Sequence, residues 1–247
     1  MNSHDVPLSF NPLPPTSERR FVWNSGEWWK WFRSYRRKPA VESIHARLRE
    51  YDSFVSFHCA RPTDVSSFYK SGLRLGDIES LNRHAREILI SPEYPWITPE
   101  RFERATADAS GIHDKTLFAV IDEREISGHY LIYGSEHICG IAASISREVG
   151  FDCRDILKYH GTPTVFRMAI PRELIPDSQL HDLAEHVMEM YWDERKRERP
   201  PRVDWSWILK QGIPGRHVLD HVHPEKIPDP TMQYIPYRYR DNWPCLI

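Results

Sequence analysis

"FVSFHCARPTDVSSFYKSGLRLGD", residues 54–77, begins with an apolar run that stops abruptly at His58 and ends in Ser71-Gly72-Leu73. The run, with the residue before it, predicts a short strand, "SFVSFH". "PTDVSSFYKSGL" predicts a helix, with Thr63 or Asp64 as N-cap and Gly72 where a left-handed residue ends the last turn. A strand that terminates in a histidine, with Cys59 and Arg61 directly after it, sets chemistry-bearing groups at the end of a sheet.

Upstream, "VESIHARLREY" repeats apolar Val41, Ile44 and Leu48 at helical spacing. Residues 1–20 hold four prolines and little periodicity, so they read as an arm without a core. Trp23 then precedes Trp28, Trp29 and Trp31, interleaved with Lys30, Arg33, Arg36, Arg37 and Lys38. Basic residues among aromatics suit a nucleic-acid strand held by charge and stacking. The competing reading packs these tryptophans on the main domain and leaves the charges in water. The expected organisation is therefore an N-terminal arm over residues 1–40 and a single α+β domain over 41–247.

Downstream, residues 79–111 carry helical stretches interrupted by "SPEYPWITPE". "KTLFAVID", "GHYLIYG", "TPTVFRMAIP" and "GRHVLDHV" predict strands, being rich in β-branched and aromatic residues. "SEHICGIAASISREVG" predicts a helix starting at Ser135. "DSQLHDLAEHVMEMYWDERKRER" predicts the longest helix, with Leu180, Leu183, Val187, Met190 and Tyr191 on its apolar face. Strands dispersed among helices of unequal length point to α+β rather than a regular βαβ winding. Neither GxGxxG nor GxxxxGK[ST] occurs, so the nucleotide-fold fingerprints are missing.

The totals bound the rest. A chain of 247 residues with 40% hydrophobic and 28% charged residues has the make-up of a globular protein. A net charge of -2 argues against a globally basic nucleic-acid binder. No apolar run reaches the ~18 residues of a membrane span, and the N-terminus lacks a secretory core. Four cysteines without CxxC spacing fit reduced thiols in a cytoplasm.

The succession of a strand ending in His58, a helix ending in Ser71-Gly72-Leu73, "YLIY" running into Gly134-Ser135-Glu136, and "VFRMAIP" resembles the ADP-ribosyltransferase superfamily. The likeness is to its histidine-bearing branch, which includes the poly-ADP-ribose polymerases and related bacterial toxins. It spans residues 52–175 or so. The resemblance implies short twisted sheets flanked by helices, and NAD as a consumed substrate. It also implies ADP-ribose transfer to a macromolecular acceptor, protein or nucleic acid. By the same likeness His58 and Glu136 are the catalytic residues, with His58 also holding the ribose side of the ligand, and Tyr133 flanks nicotinamide; Arg61, close to His58, and Ser135, beside Glu136, are read as further ligand-binding residues. Cys59-Ala60 stands where the family has Gly-Thr, and the late strand "RHVLDHV" offers Asp220, with Glu225 just beyond, in place of the family's glutamate.

The chemistry stands apart from the likeness. Breaking a nicotinamide–ribose bond passes through an oxocarbenium-like state that a carboxylate stabilises. A histidine can hold a ribose hydroxyl, and an aromatic ring can stack on nicotinamide. Read as a strand, "YLIY" sets Leu131 and Tyr133 on one face, and Gly134 turns the chain so that Ser135 and Glu136 sit at its end. The simpler reading makes Ser135 and Glu136 an ordinary helix start. His58 is otherwise a satisfied buried histidine, and Tyr69 a core residue. Two alternative functions remain: an inactive binding module on the same scaffold, and a metal-dependent hydrolase using His221 and His223. His181 and His186 diverge around their helix and read as surface residues.

Overall fold

The computed structural model describes residues 6, 8–35, 37–109, 115–194, 200–229 and 236–238. The centre is an open sheet of six strands: β1 (Arg20–Phe21), β2 (Ser53–Ala60), β3 (Leu117–Val120), β4 (Thr164–Pro171), β5 (Ser206–Leu209) and β6 (Val218–Val222). The order is β5-β3-β2-β4-β6, all antiparallel, with β1 added parallel to the start of β2. A separate ribbon joins β7 (Lys226–Pro228) to β8 (Pro236–Arg238). This is an α+β architecture.

Side-chain alternation on β2 builds two cores, one on each face. Phe54 joins a cluster with Phe166, Met168 and Trp207, covered by α1 (Gly26–Ser34), α2 (Val41–Leu48) and α9 (Asp177–Glu194). Val55 and Phe57 join the opposite cluster. That face is covered by α4 (Ile78–Leu89), α5 (Pro99–Asp108), α6 (Gly128–Tyr133), α7 (Glu136–Val149) and α8 (Arg154–Leu157). Ser56 is fully buried on the first face, where its hydroxyl accepts from Trp207 Nε1 at 3.1 Å.

The tryptophan-rich segment is part of this core. Phe21, Trp23, Trp28, Trp29 and Phe32 are buried in the first cluster, and Trp23 Nε1 donates to the Pro201 carbonyl at 2.8 Å. Ser25 caps α1 through Trp28 N–H. Stacking of Trp23, Trp28 and Trp29 on a nucleic-acid strand is thereby ruled out, because the rings have no exposed face. The physical cause is the hydrophobic effect acting on large aromatic areas beside a sheet that needs covering.

One predicted strand is a helix. Residues 128–133 form α6, with Ser127 accepting from His129 N–H and Gly134 closing it at φ 77°. Leu131, Ile132 and Tyr133 are all buried, which a half-buried strand with alternating faces does not allow. The "SWIL" strand, β5, escaped the sequence reading because only four residues separate Trp205 from Lys210. α3 (Ser66–Ser71) starts later than "PTDV" suggests, and Gly72 follows it at φ 77°. A Cβ on Gly72 would lie 2.0 Å from the Ile213 carbonyl oxygen, so the turn needs glycine twice over. The charged end of the long helix, Arg195–Arg199, and most of the tyrosine-rich tail lie outside the described residues.

Candidate functional site

β2 pairs with β4 at eight positions but with β3 at one, Phe57 with Val120. Beyond that rung the strands part. The gap opens into a cleft of about 600 Å³, inside the ~300–1,000 Å³ range of small-molecule sites. Its walls are largely apolar, with Phe57, Phe68, Leu81, Phe118 and Ile138 among them. His58, Arg61, Tyr133, Ser135 and Glu136 all line it, although His58 and Glu136 lie 78 positions apart in sequence.

His58 sits where the strands separate. Its Nδ1 is 2.8 Å from the Phe118 carbonyl. A carbonyl can only accept, so Nδ1 carries the proton and Nε2 is left as an acceptor. Burial lowers the His58 pKa, against the opposing pull of the Phe118 carbonyl, and so favours this neutral form. Cys59 beside it is an inert thiol, since burial pushes its pKa up to about 12.

Glu136 opens α7 and is exposed. The Tyr130 hydroxyl donates to its carboxylate at 3.4 Å, a long bond, and Tyr130 lines the same cleft. The Tyr130 pKa is raised by burial first and by the Glu136 charge second. Ser135 occupies the N-cap position without a side-chain capping bond, so a helix-start role does not account for its hydroxyl. Gly134, at φ 77°, makes the turn between α6 and α7 that brings Ser135 and Glu136 to the wall.

Two predicted ligand contacts have structural work instead. Arg61 Nε donates to the His160 carbonyl at 2.9 Å, Nη1 to Leu131 at 2.8 Å, and Nη2 to Lys158 and Gly161 at 2.7 and 3.0 Å. A guanidinium with four carbonyls around it ties α6 to the end of α8 and the turn before β4, and Arg61 lines the cleft from that fixed position. Tyr133 is 3% exposed, and its hydroxyl donates to Asp229 at 2.9 Å. Lys158 Nζ lies 3.4 Å from the same carboxylate and 5.4 Å from the Tyr133 ring centre. The residue flanks the cleft as part of its wall. Tyr130, three positions earlier, is the exposed aromatic, and the helical rather than extended course of the segment is why strand alternation missed it.

The other acids and histidines are elsewhere. Asp220 forms a two-pronged pair with Arg167, at 2.8 and 2.5 Å, and neither Asp220 nor Glu225 lines the cleft. Tyr69 is not in the core; it is 37% exposed and its hydroxyl lies 2.7 Å from His221 Nδ1. His223 Nδ1 sits 3.2 Å from both the Thr164 hydroxyl and the Pro163 carbonyl. His221 and His223 have ring centres 4.9 Å apart, yet among the described residues no third metal-ligand side chain joins them. His181, Asp182 and Glu185 on α9 do bring three ligand atoms within 4.8 Å of one another, two of the three residues being exposed. His137, buried in the cleft wall, holds Asn82 Oδ1 at 2.7 Å through Nε2, a contact that carries α4 onto α7.

No protein-family model, curated protein or solved structure matches the chain. None of the described helices is long and apolar enough to cross a membrane.

Proposed function

We propose that the cleft binds NAD and breaks its nicotinamide–ribose bond, in the manner of an ADP-ribosyltransferase, passing ADP-ribose to a macromolecular acceptor. The observation that carries this reading is the convergence of His58, Ser135 and Glu136 on one largely apolar cleft from two distant segments. The near-division of the sheet between β2 and β3 gives further support, because it opens a slot beside His58, two residues before the end of β2.

In this reading Nε2 of His58 accepts a hydrogen bond from a ribose hydroxyl, and Tyr130 offers its ring to nicotinamide. The C1′–N bond breaks with its electron pair leaving on nicotinamide, which departs neutral. The positive charge left on the ribose is stabilised by the Glu136 carboxylate. An acceptor hydroxyl, amine or phosphate oxygen then bonds to C1′, and any proton it sheds passes to Glu136. Arg61 and Tyr133 hold the wall in place and take no part in the step.

The test is incubation of the full chain with NAD labelled in the adenylate, with and without protein and nucleic-acid acceptors. Nicotinamide release is expected. Glu136→Gln is expected to lower turnover ~100-fold or more while NAD affinity stays within a few-fold. NAD-dependent thermal stabilisation without nicotinamide release would make the chain a binding module. Absence of both NAD-dependent stabilisation and nicotinamide release would end the proposal.

A further inference from the structure

A dinucleotide brings a pyrophosphate, and the cleft must meet that charge. Two arginines and no lysine line it, Arg61 and Arg74. The Arg61 guanidinium is already bonded to the carbonyls of Leu131, Lys158, His160 and Gly161. Arg74 is exposed and, among the described residues, has neither an ion pair nor a side-chain hydrogen bond.

Arg74 also marks a junction. A second recess of about 440 Å³ opens beside the cleft, lined by His58, Ser67, Phe68, Ser71, Gly72, Leu73 and Arg74. His58, Phe68 and Arg74 belong to both walls. The base of Arg74 is fixed, because Leu73 exchanges two backbone bonds of 2.8 Å with Ile213. The result is a cation on a rigid backbone, with no side-chain partner among the described residues, in the wall shared by two cavities. The cleft, with its apolar walls, suits a flat ring. The recess, with Ser67 and Ser71 among its lining residues, suits a second, more polar moiety. A charge between the two fits the group that joins them.

We propose that Arg74 is the phosphate anchor of this site, and that the ligand is a nucleoside diphosphate whose two ends occupy the cleft and the recess. The identification of the ligand as NAD rests on the preceding reading. The anchor itself rests on the two cavities and on the unpaired guanidinium. A guanidinium offers paired donors that match phosphate oxygens, which an ammonium cannot reproduce.

Calorimetric titration of the full chain with NAD, ADP, inorganic pyrophosphate and nicotinamide riboside tests it. Arg74→Gln is expected to weaken NAD and ADP binding ~10- to 100-fold and to leave nicotinamide riboside, which has no phosphate, within twofold. Arg74→Lys should recover part of the loss. The side chain is exposed and unbonded, so both variants should unfold at the wild-type urea midpoint. Wild-type affinity of Arg74→Gln for ADP and NAD would overturn the proposal, as would a wild-type chain that binds neither ADP nor pyrophosphate. Binding of ADP through Arg74 with no binding of NAD or nicotinamide riboside would sustain the anchor and remove the NAD reading instead.

Discussion

Replacing Arg61 with Met tests whether this side chain holds the protein together or holds a ligand. Its guanidinium donates to four carbonyls: Leu131 near the end of α6, Lys158 at the end of α8, and His160 and Gly161 in the turn that leads to β4. A hydrogen bond from a charged donor contributes ~1.5–3 kcal/mol, so four at the lower value give about 6. Arg61 is only partly buried, and water can reach some of the freed carbonyls, which brings the expected loss to about 3–4 kcal/mol. For a chain of this length that lowers the unfolding midpoint by about 10 °C. Urea denaturation and a thermal scan of Arg61→Met measure it directly. Arg61→Lys should regain less than half, because one ammonium cannot span carbonyls fixed around a planar fork. A loss below about 1 kcal/mol, accompanied by loss of ligand binding, would refute the reasoning and return Arg61 to the ligand.

Acid should destabilise the fold. The pKa values of His58, His129, His137, His160 and His221 are all lowered, with burial the largest cause in each. Above the ~6.5 of a free imidazole both native and unfolded chains are neutral at these positions; below it the unfolded chain takes up protons that the native one resists. Urea midpoints should therefore fall steadily from pH 7 to pH 5, and a flat profile would contradict the burial of these rings. Gly72→Ala should cost at least ~2 kcal/mol, since it adds both positive-φ strain and a clash with the Ile213 carbonyl; a loss within 0.5 kcal/mol would show that the turn relaxes. Ser56→Ala should cost ~1–2 kcal/mol by stranding the buried Trp207 Nε1, as measured by chemical denaturation, and Ser56→Thr would show whether the hydroxyl alone is needed.

Much of the scaffold was legible because its signals were local. The strand through His58, the strand halted at Pro171, and the helices over 41–48, 136–149 and 177–194 follow from periodicity and caps. The long-range part of the candidate site, His58 with Ser135 and Glu136, has no local signal and is expected through resemblance alone; all three line one cleft. What escaped depended on partners remote in sequence. The β-branched and aromatic content of "GHYLIYG" points to a strand despite the Ser127 and Gly134 brackets that bound α6, and strand alternation favours Tyr133 over Tyr130. Arg61 looked like a ligand contact because carbonyls up to 100 positions away leave no mark in composition. The apolar neighbours Phe68 and Leu73 suggest an interior position for Tyr69, whereas its hydroxyl pairs with His221. Arg74 gave no sign at all, since a lone arginine after a turn becomes informative only when its neighbours are seen to be paired.

The join between β2 and β3 amounts to one backbone rung followed by an imidazole standing in for the next. The β3–β5 ribbon is thus fastened to the larger half of the sheet by that rung and by two side-chain bonds, His58 to Phe118 and Trp207 to Ser56, the first of them at the point where a guest molecule would press. An occupant that turned the His58 ring away from Phe118 would unbutton the seam, and one that gripped Nε2 would lock it. One imidazole thus belongs both to the lining of the chamber and to the stitching of its back wall.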